Sequence, residues 1–322
     1  MLVFVLLSLL AAPPAAPGED ARIRTLRSEL ARIADDSDGT LGVSVVDVAS
    51  GRNVSHSGAD RFPMASVFKL PVAVVLLRRV DAGALRLDEK LPIVRGDLRP
   101  RGPVYERWKP GLSLTVGELL DDMMVASDNS AVDLLVRRLG GTKAVREGLS
   151  ALGLSGINVD ATELEMWLLS DGIPEIPPDL RMTPEALTAR IAKVPAGDRK
   201  KAEQAFEKKP RNVATPEALT RLLVRLEKKE LLSPASTDRL LSAMRRCATG
   251  DRRIRAGVPK GSEVFDKTGT IGRCANDVGL VRLPGGPTLA ISVLLRGSYL
   301  GDAEREAVAA KVARAAASTF GR

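Results

Sequence analysis

Histidine and aromatic residues are scarce in this chain, and each scarcity removes a class of function. The single histidine, His56, lies in a short polar stretch that predicts a structural or surface position. A Ser-His-Asp hydrolase needs a histidine base and zinc sites commonly use histidine ligands, so neither class is favoured. The chain has six Phe, two Trp and two Tyr, and its 48 Lys and Arg are not clustered. No nucleic-acid surface, metal or cofactor is therefore expected.

Long apolar runs and cysteines are also few. Residues 2–12 form an apolar run too short to span a bilayer, and a Pro/Ala/Gly-rich segment follows. This pattern predicts a secretory signal peptide over residues 1–18 and a periplasmic or secreted protein, monomeric and without stable membrane insertion after signal removal. The two cysteines, Cys247 and Cys274, can form a disulfide after export or remain as two buried thiols; the sequence leaves both possibilities open.

Hydrophobic periodicity places strands near both ends of the chain and helices between them. Alternating patterns predict strands over residues 41–48, 264–268, 277–283 and 288–295, and helical patterns cover residues 19–33 and 302–318. Between Leu70 and Arg255 the pattern is helical, without a convincing strand. The predicted fold class is α/β (α+β), with an antiparallel sheet, flanking helices and an inserted all-helical lobe. Residues 19–60 and 256–322 would form the sheet lobe and residues 61–255 the helical lobe.

The stretch with most chemical content contains Ser66 and Lys69. It precedes a mostly apolar run that predicts a buried helix ending near Gly83. Ser66 is expected in the first turn, where unpaired backbone N–H groups and the helix dipole favour negative charge. Lys69 lies one turn later on the same face, and a desolvated amine there can help to remove the serine proton. Alone, however, a Ser-x-x-Lys pair is weak evidence for catalysis.

Two further motifs follow in order along the chain. Ser127-Asp128-Asn129 separates two predicted helices and, taken alone, is a common helix cap. Lys267-Thr268-Gly269 falls within a predicted strand, where a lysine can equally protect a sheet edge from aggregation. Their order after Ser-x-x-Lys is the pattern of penicillin-recognising serine enzymes, and nearly all of the chain after the signal peptide resembles class A β-lactamases. This resemblance implies the serine β-lactamase/D,D-peptidase-like fold.

The resemblance also implies roles for individual residues. Ser66 would attack the lactam carbonyl with help from Lys69, and Ser127 would pass a proton to the leaving nitrogen. The substrate-binding residues implied by the family motifs are Asn129, Lys267, Thr268, Gly269, Thr270 and Arg253. The backbone N–H groups of Ser66 and Thr270 would form an oxyanion hole. Some relatives carry a substrate-binding arginine on the strand after Lys-Thr-Gly, a place that holds Asn276 here, and others carry it before the strand, which matches Arg253.

The segment implied for deacylation departs from the family pattern. Glu163, 36 residues after Ser127, takes the place of the family's general base, but Trp167 stands where an asparagine would hold the water. Either the water loses one fixed partner, or Trp167 packs into the space and excludes bulk solvent. The usual arginine–aspartate ion pair of this loop is replaced by Ala161 and Asn212, so neither charge is orphaned and the loop is predicted to be rebuilt.

Extra chain accompanies this departure, in an inserted segment of about residues 168–211. The five residues Thr183–Leu187 recur as Thr215–Leu219, either by duplication or because both open a helix with a threonine cap and a proline.

Three functions fit the sequence. The first is a β-lactamase that hydrolyses the amide bond of β-lactam antibiotics through a Ser66 acyl-enzyme. The others are a D,D-peptidase or esterase, and a β-lactam sensor that is acylated and turns over slowly.

Overall fold

The computed structural model describes residues 21–173 and 181–321, so the predicted signal peptide at residues 1–18 lies outside the described residues. The helices are α1 (Ala21–Asp35), α2 (Lys69–Asp81), α3 (Pro103–Arg107), α4 (Val116–Val125), α5 (Asn129–Leu139), α6 (Gly141–Ala151), α7 (Glu163–Ser170), α8 (Pro184–Ala192), α9 (Ala196–Lys208), α10 (Pro216–Glu227), α11 (Pro234–Arg245), α12 (Ile254–Gly257) and α13 (Asp302–Phe320). The strands are β1 (Thr40–Asp47), β2 (Asn53–His56), β3 (Phe62–Pro63), β4 (Lys90–Pro92), β5 (Ser113–Thr115), β6 (Ile157–Asn158), β7 (Val213–Ala214), β8 (Glu263–Ile271), β9 (Cys274–Arg282) and β10 (Thr288–Arg296). None of these helices is long and apolar enough to cross a membrane.

A five-stranded antiparallel sheet joins the two ends of the chain, in the order β2-β1-β10-β9-β8. The predicted strands and both predicted terminal helices are confirmed within a few residues. The apolar stripe of α1, predicted from its helical spacing, is fully buried and consists of Ile23, Leu26, Leu30 and Ile33. These side chains share a core with α13 and the sheet. Strand β8 lies at one edge of the sheet and carries the Lys-Thr-Gly motif towards the helices.

The prediction that residues 70–255 contain no strand is wrong. Four short strands, β4 to β7, lie in this region, and each has only two or three residues. A period of two cannot be recognised over so few positions, which explains why the pattern missed them. Strand β7 pairs with both β3 and β6, so it connects the segment before Ser66 to the segment before Glu163.

The segment around Ser66 differs from the prediction in one respect. Residues Ala65–Phe68 form a 3-10 turn, and the α-helix itself starts at Lys69. Nine of the thirteen residues of α2 are buried, as the apolar run predicts. Ala65 adopts a left-handed conformation with φ of 46°, which turns the chain sharply from β3 into the helix. Ser66 therefore lies at an abrupt strand-to-helix corner.

Helices α8 and α9 lie within residues 168–211, the segment predicted to be inserted. Both repeats of the five-residue motif cap a helix, because the hydroxyls of Thr183 and Thr215 each accept a hydrogen bond from the backbone three residues on. Helix α9 is anchored to the turn between β8 and β9 by an ion pair of Glu207 with Arg273 at 2.5 Å. The insertion therefore packs beside the end of the Lys-Thr-Gly strand.

Candidate active site

Lys69 is the centre of the site. Its side chain has no exposed surface, and its amine lies 3.1 Å from the Ser66 hydroxyl oxygen. The same amine donates to the Ser127 carbonyl at 2.7 Å and to the Asn129 side-chain oxygen at 2.5 Å. It also lies 3.3 Å from a carboxylate oxygen of Glu163. One buried nitrogen thus contacts the first serine, the second motif and the predicted base.

The second motif forms the corner between α4 and α5. Ser127 has a left-handed φ of 58°, and Asp128 caps α5 by accepting from the Ala131 backbone at 2.8 Å. The second oxygen of Asp128 accepts from the Val104 backbone at 2.8 Å, which ties this corner to α3. The cap holds Ser127 where its hydroxyl accepts from the Lys267 amine at 3.0 Å. The common capping role and the contact with Lys267 therefore occur in the same tripeptide.

The Lys-Thr-Gly strand approaches the Ser66 corner closely. A Cβ atom on Gly269 would lie 2.5 Å from the Met64 carbonyl oxygen and 3.0 Å from the Ser66 backbone nitrogen. Only glycine allows this separation without moving the backbone, so the motif needs it for steric reasons. The approach places β8 against the Ser66 corner, which an oxyanion hole formed by the N–H groups of residues 66 and 270 requires.

Arg253 lies behind this strand and is 5% exposed. Its guanidinium donates to the Thr270 hydroxyl at 2.6 Å and to the Gly269 carbonyl at 3.2 Å, and it pairs with Glu306 at 3.2 Å. The hydroxyl of Thr268 lies 2.5 Å from that of Thr249. Arg253 is thus placed to orient Thr270 and to add positive charge behind it.

Asn276 does not take over the role of a substrate-binding arginine. It is buried, and its amide donates to the carbonyl oxygens of Pro63 and Met64 at 2.8 and 3.1 Å. It therefore clamps β9 to the segment that leads into Ser66. Cys247 and Cys274, whose pairing the sequence left open, are both free and buried.

Burial dominates the electrostatics of the site. It lowers the pKa of Lys69 and raises the pKa of Glu163, while the ion pair between them opposes both shifts. Burial, followed by the nearby charge of Lys69, lowers the pKa of Lys267 to about 8. A side chain whose pKa is shifted towards neutral pH can take up and return a proton easily at that pH.

Glu163 begins α7, and its backbone N–H donates to Asp133 at 2.8 Å. Glu165 points elsewhere, because its carboxylate accepts from the Thr162 backbone N–H at 2.7 Å and closes a capping box. The sequence analysis missed Asp133, although a signal exists: it lies four residues after Asn129 and so shares a face of α5 with it. Arg99, which pairs with Asp133 at 2.9 Å, carries no comparable sequence signal.

The two ends of the loop that carries Glu163 are joined by hydrogen bonds of Asn212 rather than by an ion pair at Ala161 and Asn212. Asn212 is fully buried, and its side-chain oxygen accepts from the backbones of Asp160 and Ala161 at 2.8 and 2.9 Å. Its amide donates back to the Ala161 carbonyl at 2.9 Å. An ion pair is also present one position away, between Arg211 and Asp160 at 3.0 Å. Ala161 and Asn212 cannot form the ion pair that is usual in this loop. The hydrogen bonds of Asn212 and the neighbouring ion pair of Arg211 with Asp160 hold the two ends of the loop together instead.

We expect Asn212→Ala to lower the free energy of unfolding by about 3 kcal/mol, because two buried backbone N–H groups lose their acceptor. Chemical denaturation of the variant measures this loss. Arg211→Ala is the matched control, since its side chain is 40% exposed. Partly exposed ion pairs contribute less than about 1 kcal/mol, so this variant should remain close to the parent. Equal losses in the two variants would contradict the clamp role of Asn212.

Trp167 lies on α7, four residues after Glu163. Together with Ser127, Asn129 and residues 100–102, it lines a cavity of about 430 Å³. Its ring also packs against a small apolar cluster formed by α7 and residues of the segment predicted to be inserted, namely Leu164, Leu168, Ile173, Met182 and Leu187. Trp167 therefore lines this cavity and also contacts the segment predicted to be inserted. That its ring excludes bulk water from the base stays a prediction.

A larger cavity, of about 1160 Å³, lies between α9 and the turn that joins β8 to β9. Its lining includes Ser170 at the end of α7 and Ile271, the residue after Thr270. None of the predicted catalytic residues lines this cavity. Of the predicted catalytic residues, Ser127 lines the smaller cavity at the corner of α4 and α5.

Comparisons with known proteins agree on one family. The profile of the beta-lactamase enzyme family matches residues 25–320. The carbapenem-hydrolyzing beta-lactamase KPC of Klebsiella oxytoca is 30% identical over 98% of this chain and 96% of its own length. A beta-lactamase of Streptomyces albus G is 30% identical over 91% of this chain and 83% of its own length. The solved structure of an ancestral (GNCA) class A beta-lactamase covers 92% of this chain and 100% of its own, with 33% identity and a TM-score of 0.75.

Proposed function

The chain belongs to the class A β-lactamase family, and we propose that its hydrolysis of β-lactams is carried out by Ser66, Lys69, Ser127 and Glu163. It is a serine β-lactamase that opens the lactam amide through an acyl-enzyme. The observation that carries the assignment of residues is the position of the Lys69 amine. It lies within 3.3 Å of Ser66, Ser127 and Glu163, so one proton carrier serves both halves of the reaction.

Acylation follows from these contacts. The neutral amine of Lys69 takes the proton of Ser66 as the serine oxygen bonds to the lactam carbonyl carbon. The N–H groups of Ser66 and Thr270 stabilise the resulting oxyanion. When the carbon–nitrogen bond breaks, Ser127 gives its proton to the leaving nitrogen and regains one from Lys69, 3.3 Å away. Lys69 returns to its neutral form, and the protons balance.

Deacylation uses Glu163 as the base. Its carboxylate takes a proton from water, the water oxygen bonds to the acyl carbon, and the bond to Ser66 breaks. The proton returns to Ser66 through Lys69, which bridges the two groups at 3.3 and 3.1 Å. With Trp167 in place of an asparagine, the water has one fewer polar partner, and the burial of Glu163 limits access of bulk solvent.

Substrate binding is assigned to the remaining predicted residues. Lys267, Thr268 and Thr270 line the strand edge where a substrate carboxylate would pair with the lysine, and Gly269 permits the close approach of that strand. Arg253 supports Thr270 from behind. Asn129 would hold the side-chain amide of the substrate with the group that does not contact Lys69.

The assignment is tested with a chromogenic cephalosporin and the purified chain. We expect steady hydrolysis in the parent enzyme. Lys69→Ala should lower the acylation rate constant with little change in apparent binding, since Lys69 acts on a proton. Lys267→Ala should raise the apparent dissociation constant as well, because it also meets the carboxylate. Stopped-flow kinetics separate the two constants.

The pH dependence of substrate binding gives a second test of the separate roles of Lys69 and Lys267. Lys267 is cationic below its pKa of about 8, so binding of the substrate carboxylate should weaken as the pH rises through that value. This alkaline limb should be absent in Lys267→Ala. Indistinguishable kinetics for the two lysine variants would contradict the division of roles. A single-turnover burst in the parent would favour a sensor, and no reaction would favour a D,D-peptidase.

We propose that the protein works in the periplasm or after secretion, because residues 1–18 have the composition of a signal peptide. We also propose that it works as a monomer, since the predicted catalytic residues meet within one chain. The basic surface residues are spread rather than clustered, which supports a small-molecule substrate and no nucleic-acid partner.

A further inference from the structure

An arginine, Arg101, lines the cavity beside the second motif and has no role in the acylation and deacylation steps. The same cavity, of about 430 Å³, is lined by Ser127, Asn129 and Trp167. Arg101 is exposed, and in the part of the chain that the structure describes its guanidinium has neither a hydrogen bond nor an ion pair. An unpaired cation therefore lies next to residues that are assigned to proton transfer and to substrate binding.

The backbone of Arg101 is held in a tight turn against this corner. Its φ of 69° lies in the left-handed region, which is strained for a residue other than glycine. Gly102 follows with a φ of 99°, and a Cβ atom there would lie 2.7 Å from a side-chain oxygen of Asp128. The turn thus packs directly on the residue between Ser127 and Asn129, while the guanidinium of Arg101 stays available to a ligand.

One carboxylate, that of Asp128, also lines the cavity but leaves little charge for a ligand to meet. Its two oxygens accept from the backbones of Val104 and Ala131 at 2.8 Å each, and the residue is 2% exposed. These two backbone N–H groups satisfy the carboxylate. Among the residues that line this cavity, Arg101 therefore supplies the exposed charge, and that charge is positive.

Trp167 adds an aromatic surface to the same cavity. It packs against the apolar cluster of α7 and also lines the cavity, so its ring is supported by the protein and available to a ligand. An indole ring binds another aromatic ring by offset stacking or edge contacts. Because Asn129 is proposed to hold the amide of the substrate's acyl side chain, the atoms beyond that amide would reach Trp167 and Arg101.

We propose that Arg101 and Trp167 form a subsite that selects β-lactams whose acyl side chain carries both an aromatic ring and a carboxylate. Trp167 contacts the ring, and Arg101 pairs with the carboxylate. A guanidinium binds a carboxylate through two parallel hydrogen bonds, whereas it repels an ammonium group at the same place. The inference deepens the proposed function and rests on it, since Asn129 must hold the side-chain amide in this cavity.

The experiment compares three penicillins that differ in one substituent. Each has a phenylacetyl side chain, and its α-carbon carries a hydrogen, a carboxylate or an ammonium group. In Arg101→Gln, the ratio of kcat/KM for the carboxylate compound to that for the ammonium compound should fall about tenfold, because one loses an attraction and the other a repulsion. Arg101→Glu should lower this ratio further. Slow deacylation does not affect the comparison, since kcat/KM covers only the steps through acylation.

Lys109→Gln is the matched control, because it removes an exposed cation of the same segment that does not line the cavity. Its ratio should stay within about twofold of the parent. Trp167→Leu should lower kcat/KM for the unsubstituted phenylacetyl compound about tenfold relative to a penicillin with a methyl side chain. An unchanged ratio in Arg101→Gln, or an equal fall in Lys109→Gln, overturns the inference. Failure of the parent to hydrolyse any of the penicillins would instead overturn the proposed function.

Discussion

Ser66→Ala is expected to abolish covalent capture of a penicillin and to lower kcat/KM by about 10⁴-fold or more. The expectation follows from the position of Ser66 and from its contact with Lys69. Ser66 lies at the strand-to-helix corner, 3.1 Å from a fully buried lysine amine whose pKa is lowered by that burial. An alanine there leaves the oxyanion N–H groups in place but removes the atom that bonds to the carbonyl carbon. Intact-mass measurement after incubation with the penicillin detects the adduct directly.

Ser55→Ala is the matched control for this variant. Its hydroxyl pairs with Glu217 at 2.9 Å, on the edge strand β2 at the opposite edge of the sheet from β8, so adduct formation and turnover should match the parent. An adduct that persists at full yield in Ser66→Ala would show that another residue is the nucleophile. Loss of the adduct in both variants would indicate a folding defect rather than loss of chemistry.

Glu163→Gln is expected to accumulate the acyl-enzyme, because the amide cannot take a proton from water. Acylation should remain within roughly tenfold of the parent, since the proton of Ser66 passes to Lys69. Deacylation should already be slow in the parent: one missing hydrogen bond to the water costs roughly 1–3 kcal/mol, or about ten- to a hundredfold in rate. Time-resolved mass spectrometry of the penicillin adduct follows both steps.

Glu165→Gln provides the control within the same helix turn. Glu165 caps α7 through the Thr162 backbone and hydroxyl, at 2.7 and 3.1 Å, and does not face Lys69. It should turn over like the parent, apart from a small loss of stability from the weakened cap. If Glu165→Gln traps the adduct and Glu163→Gln does not, the assignment of the base is wrong, and so is the role given to Trp167.

The parts of the site that the sequence predicted share one property. Ser66 and Lys69, or Ser127 and Asn129, are near neighbours in the chain, so helical spacing or a corner fixes their relative positions. The ordered motifs then identified the family and, through it, the contacts between segments. The long strands that the two ends of the chain contribute to the main sheet were also predictable, because long strands with one buried face show clear alternation.

The parts that were missed depend on pairing between distant segments. Arg99 and Asp133 are 34 residues apart. Asp133 shares a helix face with Asn129, but nothing in the sequence indicates that it pairs with Arg99. The loss of a charge pair at Ala161 and Asn212 was visible in the sequence, but the hydrogen bonds that replace it depend on backbone atoms. Strands β6 and β7 were invisible for the same reason, since their two-residue pairing is set by tertiary contacts.

The junction of Asp160, Ala161 and Asn212 has a consequence for how the chain could have grown. The segment that it closes starts and ends at one point, and β3, β6 and β7 fasten that point to the base of the Ser66 corner. The entropy of closing a loop rises only slowly with its length. Residues can therefore be added or removed beyond α7 while the spacing between nucleophile and base is preserved. We therefore expect a chimaera that exchanges residues 168–211, the segment predicted to be inserted, for a shorter segment to keep the spacing between Ser66 and Glu163.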